Sequence, residues 1–392
     1  MHPSRRGFLA GSAATLSFGG PSLRVRAAET DSRFVLIILR GAMDGLNVVV
    51  PYADANLKTW RPSLMLPEPG QPNGLSDLGG SWGLHPALKA AYLLYMANDL
   101  LAIQCVAGPN RSRSHFEAQD MLEIGAEQRM ATGWLNRIAE HLPSNPNCDT
   151  AFTMAAMTPL VMHGPTPTIT WDPFHTRPRT SAGFYDTIVA MHANDPQTGA
   201  EIADGLRERR YIDKVLAGTS YEGITPGFPR LARAAARLLV APDGPRLAEL
   251  ELDGWDTHSG QPGRLVEALQ KLDEGIAVLR ADLAPVWAKT AILVVTEFGR
   301  TVRSNGTGGT DHGTGTAAFL IGGGVAGGRV MVDWPGLRQD QLFENRDLQP
   351  TLDLRAVTKG LLGPHFGLSA AALAAVFPDS GGIAPKTGLL KA

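Results

Sequence analysis

Apolar runs that stop at polar or glycine-bearing turns recur along the chain, and each one sets up an element. "FVLIIL" (34–39) is apolar at every position, which is the pattern of a central strand covered on both faces. "LAIQCVAG" (101–108) and "AILVV" (291–295) read the same way, and "RLAELELDGWDTHSGQ" (246–261) reads as a strand running into a loop. Between them lie helical patterns. "GLHPALKAAYLLYMAND" (83–99) predicts a helix with Pro86 at its first position and His85 at its cap. "GRLVEALQKLDEGIAVLRADLAPVWA" (263–288) is a long amphipathic helix, and "FPRLARAAARLLVAP" (228–242) is another. Strand, helix, strand with short connections is the βαβ unit of a parallel sheet. The expectation is one α/β domain over residues 29–392, with a mostly parallel central sheet and helices on both faces. Residues of about 140–245, proline-rich and poorly periodic, are expected to form a loop-rich insertion or cap.

Composition adds little beyond an ordinary folded chain. Of 392 residues, 44% are hydrophobic and 19% charged, and the 44 glycines and 28 prolines fall mostly in loops. A formal charge of −2 gives no basic field for nucleic acid, and no apolar run is long enough to cross a bilayer. Neither of the two cysteines lies in a CxxC motif, so thiolate metal or redox chemistry is excluded; Cys105 and Cys148 are expected as separate thiols. The N-terminus is more informative. Paired Arg5 and Arg6, then Gly7, Phe8 and Leu9, a weakly apolar stretch, and small residues at Ala27 and Ala28 form the pattern of a twin-arginine export signal over residues 1–28. Removing it takes away four arginines and no acids, so −2 minus 4 leaves the mature chain near −6. The destination is periplasmic or secreted, with the twin-arginine translocase as partner during export.

Reactive side chains gather just after the strands. Asp44 follows "FVLIIL"; Ser112, Ser114 and His115 follow "LAIQCVAG"; Asp256 and His258 follow "LAELEL"; Glu297, Asp311 and His312 follow "AILVV". In open parallel sheets, groups beyond the carboxyl ends of strands share one crevice. Asp256 and His258, two apart in extended chain, point to the same side. Asp311 and His312 are adjacent and need a bend to reach one centre, which Gly308, Gly309 and Gly313 would permit. Together these residues make a mixed oxygen and nitrogen site suited to zinc, manganese or magnesium. Such an ion lowers the pKa of a hydroxyl or water and offsets charge on a phosphoryl or sulfuryl group. Ser114 or Ser112, where a loop enters a helix, is either the nucleophile or a helix cap. Arg111 and Arg113 are placed to hold an anion, and His115 is a ligand, a base or a structural residue. His85 reads as a cap.

"LRGAMDGLNVVVPY", "GLHPAL", "RSHFEAQDM", "TGWLNR", "GWDTHSGQ", "TEFGRTVRSNGTGGTDHG" and "GGGVAGGRV" together resemble the domain-of-unknown-function 1501 family, which groups with the alkaline phosphatase and sulfatase superfamily. The resemblance implies an alkaline-phosphatase-like fold with metal ligands at strand ends. Asp44 resembles the first-strand ligand, Asp256 and His258 the later ones, and Asp311 and His312 the adjacent Asp-His pair. Ser114 falls near the nucleophile position, within letters that differ from the known nucleophile motifs. The superfamily's last histidine ligand has no downstream counterpart, since His365, in "LGPHFGL", does not resemble a ligand loop, which leaves a single-metal site, a site completed by His85 or His115, or a decayed site.

The expected function is therefore an exported, metal-dependent hydrolase acting on a small or envelope phosphate or sulfate ester. Asp44, Asp256, His258, Asp311 and His312 would hold a divalent cation, zinc or manganese before magnesium or calcium. Ser114 and His115 would act at the ester, and Arg300 would orient its anion. The alternative is a non-catalytic, metal-stapled envelope-binding protein of the same fold.

Overall fold

The computed structural model describes residues 31–143, 148–172, 182–195 and 198–391. The expected export signal lies outside the described residues. The described residues form twelve strands: β1 Arg33–Arg40, β2 Val49–Val50, β3 Ser76–Asp77, β4 Gly83–Leu84, β5 Leu100–Ala107, β6 Ala151–Thr153, β7 Thr168–Thr170, β8 Leu247–Asp253, β9 Thr290–Thr296, β10 Thr316–Ile321, β11 Arg329–Met331 and β12 Leu352–Asp353. Nine of them make one sheet in the order β11-β5-β10-β9-β1-β8-β6-β7, with β12 also on β5, and β2-β4-β3 form a small second sheet. In the large sheet only β10 runs antiparallel to its neighbours.

Strand β1 is the centre of the sheet, and its apolar monotony has the expected cause. Val35, Ile37 and Leu39 face one core, shared with helices Phe228–Val240 and Gln261–Asp282. Phe34, Leu36 and Ile38 face the other, shared with helices His115–Ile124 and Leu354–Phe366. Helices thus cover both faces. Among the described residues no helix is long and apolar enough to cross a membrane.

Two expectations change in detail. The helix expected over 83–99 begins at Lys89, past Pro86. The His85 Nδ1 accepts the Ala87 amide at 3.1 Å and the His85 carbonyl accepts the Leu88 amide, closing a turn before the helix starts. The first helical amides, Ala90 and Ala91, instead donate to the Asp273 carboxylate of another helix, each at 2.9 Å. A cap supplied from a distant helix leaves no local sequence signal. The middle segment, expected as an insertion or cap, also supplies β6 and β7 to one edge of the main sheet. Its helices Ala182–His192 and Gly199–Leu216 lie outside that sheet. Both cysteines are buried, and no disulfide joins them.

Candidate metal centre

Strands β1, β5, β8 and β9 are mutually parallel, since β10 reverses direction twice between β9 and β5. Their carboxyl ends therefore open onto one edge, and the loops that follow bring His115, Asp256, His258 and His312 together there. His115 opens the helix after β5, Asp256 and His258 follow β8, and His312 precedes β10.

The geometry is that of inward-facing ring nitrogens. The Nε2 atoms of His115 and His312 lie 3.0 Å apart, and those of His258 and His312 lie 2.9 Å apart. Asp256 reaches in with Oδ1 at 3.1 Å from His258 Nε2 and 3.4 Å from His312 Nε2, and with Oδ2 at 3.8 Å from His115 Nε2. His115, Asp256 and His312 each place a ligand atom within 4.8 Å of the other two.

Each imidazole is held from behind through Nδ1. His115 Nδ1 meets the Glu297 carboxylate at 2.7 Å, His312 Nδ1 the Arg113 carbonyl at 2.8 Å, and His258 Nδ1 the Asp311 carboxylate at 3.1 Å. A carbonyl can only accept, so His312 carries its proton on Nδ1. Glu297 is also acceptor-only. Burial works against its charge, yet bonds from His115, its own amide, Gln119 and Thr296 outweigh burial and draw its pKa to about 2. At Asp311 a hydrogen bond from Asn305 is the main cause of a lowered pKa, with His258 adding to it. With each Nδ1 so engaged, the Nε2 atoms of His115 and His258 each meet that of His312 lone pair to lone pair. Burial lowers the His312 pKa, aided by His115 and Arg300 and opposed by the Arg113 carbonyl and Asp256, so this ring is neutral near pH 7. Hydrogen bonds across these short contacts would require added protons on the rings, next to the Arg300 guanidinium. A divalent cation satisfies the same nitrogens without them, and three imidazoles with one carboxylate are the donor set of zinc or manganese. The residues fit such an ion.

Of the expected ligands, Asp256, His258 and His312 meet, and His115 joins them. Asp311 stands one layer back, orienting His258, and the reason is local. His312 forms an antiparallel bridge with Arg300, so its backbone is extended there and adjacent side chains part to opposite sides. Asp44 is held apart. Its Oδ2 accepts from Arg61 at 2.7 Å and Gln261 at 2.5 Å, in a buried site, while its Oδ1 has no partner. Arg300 is also buried, in a place different from the substrate-facing one expected. It donates to the carbonyls of Gly41, Ala42, Trp255 and Thr310 and to Asp256 Oδ1 at 2.6 Å. Burial works against the Asp256 charge, but that guanidinium prevails and holds the carboxyl below its ordinary value. Arg113, expected to hold an anion, is paired with Asp347 at 2.8 Å and Glu344 at 2.6 Å.

Ser114 caps the helix by position, is exposed, and makes no side-chain cap bond. His365 is half-buried at the far end of β1, with Nε2 2.9 Å from the Arg33 carbonyl. Glu297 was legible as a strand-end acid, but its part as the anchor of His115 was not. The glycines act by closeness more than by freedom. Only Gly308 of the three takes positive φ, at 71°. A Cβ on Gly309 would lie 2.3 Å from the Thr257 carbonyl oxygen, and one on Gly313 2.4 Å from the Arg300 carbonyl carbon.

The molecule is an α/β protein with a histidine-rich, carboxylate-bearing cluster at the carboxyl edge of its sheet. The family described as "Protein of unknown function (DUF1501)" matches residues 100–377, and the chain belongs to that family. No curated protein matches it significantly. Among solved structures it is similar to alkaline phosphatase from the Antarctic bacterium TAB5, at 12% identity over 74% of this chain and 92% of that one, with a TM-score of 0.35. It is similar to a protein in the alkaline phosphatase superfamily from Vibrio parahaemolyticus, at 9% identity over 80% and 66%, with a TM-score of 0.34. For phosphonate monoester hydrolase of Agrobacterium radiobacter the figures are 10%, 76% and 70%, with a TM-score of 0.30.

Proposed function

We propose that His115, Asp256, His258 and His312 hold a divalent cation, zinc or manganese, and that the protein is an exported metal-dependent hydrolase of phosphate or sulfate esters. The observation that carries the metal is the convergence of three Nε2 atoms whose partner nitrogens are already engaged. When bound, the ion would supply Lewis-acid charge that polarises an ester oxygen and acidifies a water. Glu297 and Asp311 fix ring orientation and keep the imidazoles basic, and Arg300 fixes Asp256. Side-chain exposures of 24% at His115, 43% at His258 and 45% at Asp256 support access by an outside molecule, which a sealed structural site would deny. Ser114, exposed one residue before His115, is the side-chain nucleophile; a water is the alternative. Export over residues 1–28 would place the activity outside the cytoplasm.

A second reading, the non-catalytic staple, is favoured by the four protein ligands, a number that closes a structural zinc site. Metal analysis of the exported protein, beside a His115→Ala/His312→Ala variant and with aryl phosphate and aryl sulfate substrates, separates the two. Stoichiometric metal with turnover, both lost in the variant, supports the hydrolase. Stoichiometric metal with no turnover leaves the staple. A folded native protein that takes up no metal sinks both.

A further inference from the structure

A cavity of about 250 Å³ opens beside the centre, with Asp311 in its wall. Because Asp311 also holds His258 Nδ1, the cavity and the cluster are neighbours through one side chain. Its other walls include Trp60, Arg303, Ser304, Asn305 and Arg346. The indole Nε1 of Trp60 donates to the Leu337 carbonyl at 2.7 Å, which fixes the ring, and the Arg303 guanidinium lies over that ring with its carbon 4.4 Å from the centroid. Among the described residues no carboxylate pairs with Arg303. Arg346 pairs with Asp347 at 3.3 Å, an acid shared with Arg113, and its charge also reaches Asp311 across the cavity. The acid in the wall, Asp311, is committed to His258 and Asn305.

The cavity therefore presents two guanidinium groups against one wall carboxylate, Asp311, with one of the two preorganised on an aromatic face. Since the Trp60 face is already covered by Arg303, stacking of a neutral sugar or base is less well served than an anion. We propose that this cavity is a second anion subsite, so that the substrate carries a carboxylate, phosphate or sulfate group remote from the ester bond at the metal centre. The inference rests on the metal-centre reading and narrows its substrate to esters with two anionic ends.

The test is calorimetry on zinc-loaded protein with phosphonoacetate, 3-phosphonopropionate and 4-phosphonobutyrate, each against the alkylphosphonate of equal length. The best carboxylate-bearing probe is expected to bind about tenfold tighter than its alkyl counterpart, as one charge-assisted contact allows. That advantage should vanish in Arg303→Gln and return in part in Arg303→Lys, with zinc content and alkylphosphonate affinity unchanged. Equal affinity within every pair overturns the subsite and leaves the centre standing. Failure of all probes to bind a zinc-loaded protein overturns the centre as an ester site, and the subsite with it.

Discussion

His115 and His312 face each other through Nε2 atoms 3.0 Å apart, while Glu297 holds the opposite nitrogen of His115 at 2.7 Å. A neutral pair so arranged sets lone pair against lone pair, and the arrangement makes sense around a cation. The carboxylate behind His115 raises the basicity of the inward nitrogen and fixes the ring in place. Glu297→Gln keeps the shape and removes the charge. Zinc affinity, read by competition with a chromophoric chelator, should fall about tenfold to a hundredfold. An unchanged affinity would mean that His115 is not a ligand.

Removing the proposed ion should also be felt in the fold, because it would join β5, β8 and the loop before β10. A ligand that binds only the native state adds about 2.7 kcal/mol at a hundred times its dissociation constant. Chelator treatment should therefore lower the thermal midpoint, and zinc should restore it. The His115→Ala/His312→Ala variant should have a midpoint indifferent to both. A native midpoint that ignores chelator and zinc alike counts against the centre.

Loop closeness gives a separate test. Gly309 sits where a Cβ would lie 2.3 Å from the Thr257 oxygen and 2.5 Å from that of His258, so Gly309→Ala must push the loop off the β8 end. A cost of about 1–3 kcal/mol is expected from such overpacking, together with weaker zinc binding. Gly306→Ala, in the same loop with nothing within 4 Å, should be close to neutral in stability and zinc affinity. If the two variants behave alike in urea titration, the loop is not held against β8 in solution.

The parts of this architecture that the letters revealed are those set by local periodicity. "FVLIIL" could only be a strand buried on both faces, and Asp256 and His258, two apart, fell on one side as extended chain requires. The rest depended on distant contacts. Asp311 and His312 look like a ligand pair in sequence, yet the bridge between His312 and Arg300 keeps the chain extended and turns Asp311 away. Nothing near Asp44 announces that Arg61 and Gln261 occupy it, and nothing near Lys89 announces the cap from Asp273. His115 could be read three ways until Glu297 was seen behind it.

Asp273 offers a stability prediction free of the centre. Its carboxylate takes the amides of Ala90 and Ala91, which have no partner in their own first turn. Asp273→Ala should cost about 1 kcal/mol, the ordinary worth of a helix cap, with zinc content unchanged. Chemical denaturation reads the first and metal analysis the second. No loss of stability would mean that water serves those amides equally well.

The last prediction concerns pH and a group in the sheet. Glu249 in β8 is fully buried; Thr153 donates to its Oε2 at 2.5 Å, and its Oε1 has no partner. Burial, with the nearby Glu251 charge, pushes its pKa from 4.5 up to about 8, against smaller opposing effects of Thr153 and Arg40. The folded state thus keeps a proton that the unfolded chain releases. The stability this contributes is full below about pH 4.5 and is lost as pH rises through about 8. Glu249→Gln removes that linkage while keeping an acceptor for the Thr153 hydroxyl. Urea titrations at pH 5, 7 and 9 should show the wild type losing stability relative to the variant, at a limiting slope of about 1.4 kcal/mol per pH unit. Parallel curves would mean that Glu249 is ionised in the fold at all three values.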